Sequence, residues 1–290
     1  MKSTMELHEE LGNDCRFSQV SRRDIIGLGD IIEDHNPIHR DSEAARKSTF
    51  VKFKDTPIMG THLALIGERI ISERLKKINE HRTYVENKEA QMQILNQSTK
   101  FRGSAYPGEY ILWAISSYKE IKLNSNKEIE LRISGSVDGK KIIDITSRLG
   151  IIKPGTKTKV PKLDNPIHKE EYYIDNNLSD LYKFIGGKFR ENNECPNMLP
   201  VSFVGSSLLS LLRERTKELT GANLSMNFNF EYYTFPGLID VEIYAPVQKS
   251  AKKRGNAYMY KFRAICTQVA NSTPVNHGEI VVATPNELGL

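Results

Sequence analysis

The sequence predicts an α+β fold in which one design occurs twice, a long helix followed by an antiparallel sheet. The first observation is that apolar residues recur at helical spacing from Thr61 to Ile78, with charges gathering toward the end. The second is that stretches of alternating apolar and polar residues follow this segment, as strands do. The third is that the same order returns in the second half of the 290 residues, which suffice for two compact units.

The first half of the chain contains the clearer copy. Its helix is expected to be buried nearly all round over its first half. Period-two alternation then predicts strands around Met92 to Ile94, Tyr110 to Ile115 and Ile129 to Ile133. Three turn signals separate the strands: Pro107-Gly108, Asn124-Ser125-Asn126 and Asp138-Gly139. The last of them predicts a hairpin, because glycine tolerates positive φ.

The second half repeats this order with little sequence identity. A helix is predicted over Leu199 to Leu219, and the predicted strands are Met226 to Phe230, Tyr258 to Val269 and Ile280 to Ala283. A Pro and a Gly mark the start of each helix, and each helix carries a Glu-Arg or Arg-Glu pair. We therefore predict a tandem repeat. The predicted boundaries are an N-terminal unit at 1–152, a linker at 153–171 and a C-terminal unit at 172–290.

Composition excludes several classes of protein. Apolar residues make up 39% and charged residues 27%, the net charge is a modest +5, and no apolar run approaches the length of a membrane span. The residues from Met1 to Gly12 lack the features of a secretory signal. The cysteines Cys15, Cys195 and Cys266 lack metal-ligand spacing and suit a reducing compartment. We therefore expect a cytoplasmic protein without a metal, membrane insertion or a nucleic-acid partner.

The most informative segment is Asp34-His35-Asn36-Pro37-Ile38-His39. Pro37 fixes its own φ and biases Asn36 away from the helical conformation, so the segment is expected to form a bent loop. Asp34 and His39 can then face one cavity from opposite sides of the bend. A carboxylate and an imidazole that converge on one water molecule are suited to adding water across an activated double bond. The plain alternative is an Asx turn in which Asp34 and Asn36 bond only nearby backbone and His39 lies on the surface.

This segment resembles the signature of the MaoC-like R-specific enoyl-CoA hydratases and 3-hydroxyacyl dehydratases. In that signature Asp, any residue, Asn, Pro, an aliphatic residue and His are followed, after five residues, by a small residue. Ala45 stands in that last place, Phe17-Ser18 lies upstream, and Pro57-Ile58 leads into the buried helix. The resemblance covers about residues 17 to 110 and is faint beyond them. It implies a tandem, or double, hot-dog fold in which an antiparallel sheet wraps each long central helix.

The resemblance also implies an activity. A hydro-lyase of this type hydrates a trans-2-enoyl thioester reversibly to the R-3-hydroxyacyl thioester in fatty-acid or related acyl metabolism. Asp34 and His39 would be its catalytic pair, with Asn36 and Pro37 supporting the motif. No cofactor is implied, and the substrate is carried on coenzyme A or on acyl carrier protein. Two alternative functions stay open: a thioesterase on the same fold and a non-catalytic acyl-thioester binding module. A homodimer is the expected assembled state that stays open beside them.

The segment that enters the central helix departs from the family. There it usually reads Pro, aliphatic, Val, His, Gly, Met, and a backbone N–H near the Gly resembles an oxyanion hole for the thioester carbonyl. Here it reads Pro57-Ile58-Met59-Gly60-Thr61-His62. Either Gly60 or Thr61 is expected to present the N–H, because a helix N-terminus offers unpaired donors and positive potential. His62 is expected to be a satisfied histidine on a helix face.

Basic residues cluster just beyond the motif. Lys47, Lys52 and Lys54, together with Arg46, are candidate contacts for the phosphates of coenzyme A. A solvated surface is the plainer interpretation of the same residues.

The second half carries a near-copy of the motif, Asp164-Asn165-Pro166-Ile167-His168, which lacks the residue between Asp and Asn. It lies in the predicted linker, so we interpret it as a decoy. The segment that should align with the true motif, Phe189 to Asn197, has no Asp-to-His pair. The second unit is therefore expected to be degenerate, to form the wall of the acyl pocket and to bury residues such as Phe228, Phe230 and Phe235.

Overall fold

A computed structural model describes residues 15–48, 53–84, 91–123, 126–151, 160–161, 163–187, 195–216, 222–247, 258–285 and 287–289. The strands within these ranges are β1 (Cys15–Gln19), β2 (Gln93–Phe101), β3 (Tyr110–Leu123), β4 (Asn126–Val137), β5 (Lys140–Gly150), β6 (His168–Ile174), β7 (Ala222–Phe230), β8 (Gly237–Tyr244), β9 (Tyr258–Gln268) and β10 (Thr273–Thr284). The helices are α1 (Arg22–Ile31), α2 (Ser42–Lys47), α3 (Gly60–Tyr84), α4 (Ser179–Phe184) and α5 (Met198–Thr216), with short 3-10 turns at Pro37–His39 and Val269–Asn271.

The strands form one ten-stranded sheet in the order β1-β3-β4-β5-β2-β7-β10-β9-β8-β6. All of its pairings are antiparallel, and each unit contributes five adjacent strands. The units meet where β2 pairs with β7, with Gln97 opposite Phe228 and Thr99 opposite Met226. The side-chain amide of Asn96 adds a hydrogen bond of 2.9 Å across this seam to the carbonyl of Phe228. The predicted α+β class is confirmed.

The long helix of the first unit, α3, packs against β2, β4 and β5 of its sheet. Its N-terminal half is buried nearly all round, as its apolar pattern predicts, and it continues to Tyr84. Gly67 marks the closest approach of helix and sheet. A Cβ at this position would lie 2.2 Å from Cδ1 of Ile145, which is too close for any real contact, and 3.4 Å from the ring of Trp113. A larger residue at this position would therefore force the Ile145 side chain to move.

The central helix of the second unit, α5, is buried along its first three turns. Every residue from Met198 to Leu208 is buried, and the ring of Phe203 stacks on Tyr172 of β6 with centroids 4.5 Å apart. The helix predicted from Leu199 onward is confirmed, although residues 217–221 lie outside the described ranges. Gly205 holds the same helical position in α5 as Gly67 in α3, the eighth in each.

The structure shows one predicted turn and the start of β6. Asp138 and Gly139 form the predicted hairpin between β4 and β5 with φ values of 48° and 73°, as a type I′ turn requires. Strand β6 begins at His168, inside the predicted linker, whose residues 152–159 and 162 lie outside the described ranges. The expected burial of Phe235 is wrong, since this side chain is 48% exposed, whereas Phe228 and Phe230 are buried.

None of the helices in the described parts of the chain is long and apolar enough to cross a membrane.

Candidate active site

The motif segment follows α1 and folds as a series of tight side-chain turns. The carboxylate of Asp34 accepts a hydrogen bond of 3.0 Å from the N–H of Asn36. The side-chain carbonyl of Asn36 accepts one of 3.3 Å from the N–H of Ile38, which caps the 3-10 turn that Pro37 begins. The Asx turn of the plain alternative is thus present, but Asp34 and Asn36 are both buried. Burial of a carboxylate here separates this loop from an ordinary surface turn.

His39, at the end of the 3-10 turn, is half-buried and fixed by one hydrogen bond. Its Nδ1 lies 2.8 Å from the carbonyl oxygen of Pro57, the residue three positions before α3. A carbonyl can only accept, so Nδ1 carries the hydrogen and Nε2 of the neutral ring carries the lone pair. The same bond ties the motif loop to the segment that enters α3. The imidazole is therefore oriented as a proton acceptor.

One cavity brings the motif loop and the start of α3 together. Asp34, Asn36, His39, Gly60 and Thr61 all line it. Its volume is about 120 Å³; on the same measure one water molecule needs roughly 10–15 Å³. The second unit supplies much of the remaining wall through Gly205, Leu208, Leu209, Leu212, Asn223 and Val282. Polar groups from the first unit and mostly apolar residues from the second therefore share this cavity.

The start of α3 offers hydrogen-bond donors to this cavity. The first N–H in this turn that bonds a carbonyl four residues earlier is that of Leu63, which donates to Met59 at 3.2 Å. None of the described residues accepts from the N–H groups of Gly60 and Thr61. Packing explains the glycine, because a Cβ at this position would lie 3.0 Å from the ring of Phe101. The helix thus begins with positive potential and free donors beside Asp34 and His39.

His62, although it adjoins these residues, does not belong to the cavity wall. It is fully buried, and its Nε2 lies 2.8 Å from the carbonyl of Phe184 in α4 of the second unit. Burial lowers the pKa of His62 to about 4, so the ring stays neutral and Nε2 is the donor. It acts as a neutral link between the two units. The expected satisfied histidine is found only at Nε2, because Nδ1 is buried without a partner among the described residues.

Two of the predicted phosphate contacts, Lys47 and Lys54, lie on the surface and do not line the cavity. Lys47 pairs with Glu43 at 2.5 Å, and its side chain is 74% exposed. Lys54 pairs with Glu109 at 2.6 Å and lies over the ring of Tyr106 at 4.4 Å. Lys52 is outside the described residues. Their contact with coenzyme A stays a prediction.

The start of α5 is built differently from the start of α3. The carboxylate of Glu68, a completely buried residue of α3, accepts from the N–H groups of Asn197 and Met198 at 2.8 Å each. A negative charge from the first unit therefore caps the helix of the second. In the sequence Glu68 is visible only as half of a Glu-Arg pair, and no local signal identifies its partners, which are 129 and 130 residues away.

His168 of the near-copy motif lies in β6, away from the cavity. Its ring is 3.4 Å from the carboxylate of Glu170 and 3.7 Å from that of Glu214 at the end of α5. The carboxylate of Glu170 beside the ring raises the pKa of His168 despite partial burial. Burial opposes ionisation of Glu170, but the nearby His168 ring together with the hydroxyl groups of Tyr172 and two serines outweighs it and lowers the pKa of Glu170 to about 2. These contacts join β6 to α5.

Comparison with known proteins identifies the fold. No protein-family model matches the chain, and no curated protein is significantly similar to it. Among solved structures, a MaoC-like dehydratase from Phytophthora capsici has a TM-score of 0.63 at 10% identity, over 98% of this chain and 99% of its own. A putative MaoC domain protein dehydratase from Chloroflexus aurantiacus has a TM-score of 0.65 at 11% identity, over 94% and 93%.

An acyl-ACP thioesterase from Bacteroides thetaiotaomicron is also similar, with a TM-score of 0.54 at 8% identity, over 93% of this chain and 97% of its own. At such identities these likenesses are evidence of shared architecture. The chain has the hot-dog fold of the MaoC-like dehydratases over nearly its whole length. The predicted tandem hot-dog architecture is therefore confirmed.

Proposed function

We propose that this protein catalyses the reversible hydration of a trans-2-enoyl thioester to the R-3-hydroxyacyl thioester, as a hydro-lyase of acyl metabolism. The observation that carries the proposal is the orientation of His39. Its Nδ1 donates to Pro57, which leaves the lone pair of Nε2 for substrate chemistry in a cavity shared with buried Asp34 and with the free donors of α3. The fold shared with MaoC-like dehydratases supports the same activity.

The residues of this cavity suffice for the reaction. A water molecule between Asp34 and His39 adds its hydroxyl group to C3 while Nε2 of His39 accepts the departing proton. Asp34 orients the water through its carboxylate. Negative charge moves onto the thioester carbonyl oxygen, where the N–H groups of Gly60 and Thr61 stabilise it. His39 then returns the proton to C2, so the elements of one water molecule have been added and the imidazole is neutral again.

The apolar wall suits the acyl chain. Leu208, Leu209 and Leu212 of α5 line the cavity on the side of the second unit. Burial of a hydrocarbon chain there is favourable by roughly 0.8 kcal/mol per methylene group. The second unit would accordingly serve as a wall, and each chain would carry one active site. Coenzyme A or acyl carrier protein as the carrier, the lack of a cofactor, a cytoplasmic location and a homodimer remain proposals from the sequence.

A thioesterase is the second candidate, because an acyl-ACP thioesterase shares the fold. Assays with crotonyl-CoA and longer enoyl-CoA substrates distinguish the hydratase from the thioesterase when absorbance and free thiol are recorded together. Loss of the conjugated thioester absorbance without release of free thiol is expected for the hydratase, and the product should be the R-3-hydroxyacyl thioester. Release of thiol in step with substrate loss would establish the thioesterase instead. Binding with neither signal would indicate a non-catalytic module.

A further inference from the structure

Thr61 carries a polar group that the reaction described above does not use. The residue is 3% exposed and lines the cavity, and its hydroxyl oxygen is buried without a hydrogen-bond partner among the described residues. Buried hydroxyl groups are usually hydrogen-bonded, because a hydroxyl group that gives up its hydrogen bonds to water destabilises the fold unless another partner replaces them. Because Thr61 also lines the cavity, a ligand bound there is a candidate partner for this hydroxyl group.

The helix does not satisfy this hydroxyl group. A threonine in a helix commonly bonds the carbonyl four residues earlier, which here belongs to Pro57. That oxygen accepts from Nδ1 of His39, and the hydroxyl of Thr61 forms no bond with it. The methyl group of Thr61 faces α5, 3.6 Å from the point that a Cβ on Gly205 would occupy. Since a β-branched side chain has few rotamers, this packing also limits where the hydroxyl can lie.

We propose that the hydroxyl of Thr61 donates a hydrogen bond to the thioester carbonyl oxygen of the substrate, alongside the backbone donors at the start of α3. The inference rests on the proposed function, because it takes an acyl thioester as the ligand. A hydroxyl group and a backbone N–H of one residue then converge on the same oxygen. Their hydrogen bonds strengthen as negative charge grows on that oxygen, so the side chain acts mainly in the transition state.

Kinetics of two substitutions test the role in turnover. Thr61→Val keeps the shape and removes the donor, so kcat for hydration is expected to fall about 10- to 100-fold with a smaller change in KM. Thr61→Ser keeps the donor and should stay within about 3-fold of the wild type. Thr99→Val is the matched control, because Thr99 also has a buried hydroxyl without a partner in the described structure but does not line the cavity. Equal kcat values for Thr61→Val and the wild type would overturn the inference.

Binding provides a test that needs no turnover. Butyryl-CoA has the thioester carbonyl, whereas butyl-CoA is the thioether that lacks it. Thr61→Val should weaken binding of butyryl-CoA about 3- to 10-fold and leave butyl-CoA unchanged. Equal effects on the two ligands, or no binding of butyryl-CoA to the wild type, would refute the carbonyl contact. A selective effect in a protein that does not hydrate enoyl-CoA would support the contact while rejecting the proposed reaction.

Discussion

The two central helices begin in the same place of the same fold, yet their first turns face different surroundings. At the start of α3, Gly60 and Thr61 line a cavity together with Asp34 and His39, and none of the described residues accepts from their N–H groups. At the start of α5 the N–H groups of Asn197 and Met198 are bound to the carboxylate of Glu68. A carboxylate of the protein itself therefore binds the helix start in the second unit, whereas the helix start of the first unit lies at the cavity. Repetition of a fold does not repeat its binding site.

The difference is traceable to one helical position. Glu68 is the ninth residue of α3, and Ser206 is the ninth residue of α5. The longer glutamate reaches the start of the opposite helix, whereas the hydroxyl of Ser206 donates to the carbonyl of Ile32 at 2.6 Å. Ile32 is the C-cap residue of α1, two residues before Asp34. Glu68 thus occupies the N–H groups at the start of α5, whereas Ser206 holds the end of α1 next to the motif loop.

The largest expected effect distinguishes the motif that contains Asp34 and His39 from the near-copy that contains His168. Asp34→Asn and His39→Ala should each lower hydration by at least about 10²-fold and leave the fold intact, because both residues act on water at the cavity. His168→Ala should be close to neutral for turnover, since His168 lies in β6 and contacts Glu170 and Glu214 instead. Steady-state rates on crotonyl-CoA and circular dichroism decide the matter. Comparable losses for His168→Ala and His39→Ala would disprove a single site in the first unit.

Glu68 should matter for stability more than Ser206 does. Glu68→Ala removes a buried acceptor of two N–H groups, so the free energy of unfolding should fall by roughly 2–4 kcal/mol. Ser206→Ala removes one neutral hydrogen bond and should cost roughly 0.5–1.5 kcal/mol. Urea denaturation of both variants measures the ranking. A Glu68→Ala protein as stable as the wild type would mean that the helix start of α5 needs no internal anion.

The contacts of His168 predict a pH dependence confined to the second unit. Because Glu170 raises the pKa of His168 in the folded protein, this contribution to stability is fully present below the unfolded value of 6.5. It is lost as the pH rises through the folded pKa. The difference in melting temperature between the wild type and His168→Gln should therefore be larger at pH 6 than at pH 9. A constant difference would show that the imidazolium does not stabilise the link between β6 and α5.

The smallest effect is expected for the surface lysines. Combined alanine substitution of Lys47, Lys52 and Lys54 should raise KM for coenzyme A substrates about 3-fold, because exposed ion pairs contribute little. High salt should reduce the difference, and pantetheine thioesters, which lack the nucleotide phosphates, should show none. An unchanged KM at low salt would rule out the phosphate contact.

Much of the fold was predictable because its signals are local. The periodicity of α3, the Asp138-Gly139 turn and the motif around Asp34 each lie within a short segment. The Glu68 cap was not predictable, because it joins residues about 130 positions apart and depends on how two helices meet. The edge strand β6 and the short helices α1 and α4 were not predicted, although α1 has a local signal in the capping box of Ser21 and Asp24. Exposure of Phe235 likewise depends on the path of a loop that composition does not determine.

Because β2 pairs with β7 within one chain, the two units do not have to meet in solution. Two separate hot-dog chains that joined through these strands would meet in proportion to their concentration, and dilution would separate them. Inside one chain the partner strand is always present at high effective concentration. Specific activity should therefore hold constant upon dilution. The pairing also covers β2 and β7, each of which would otherwise be an exposed edge strand able to pair with other chains.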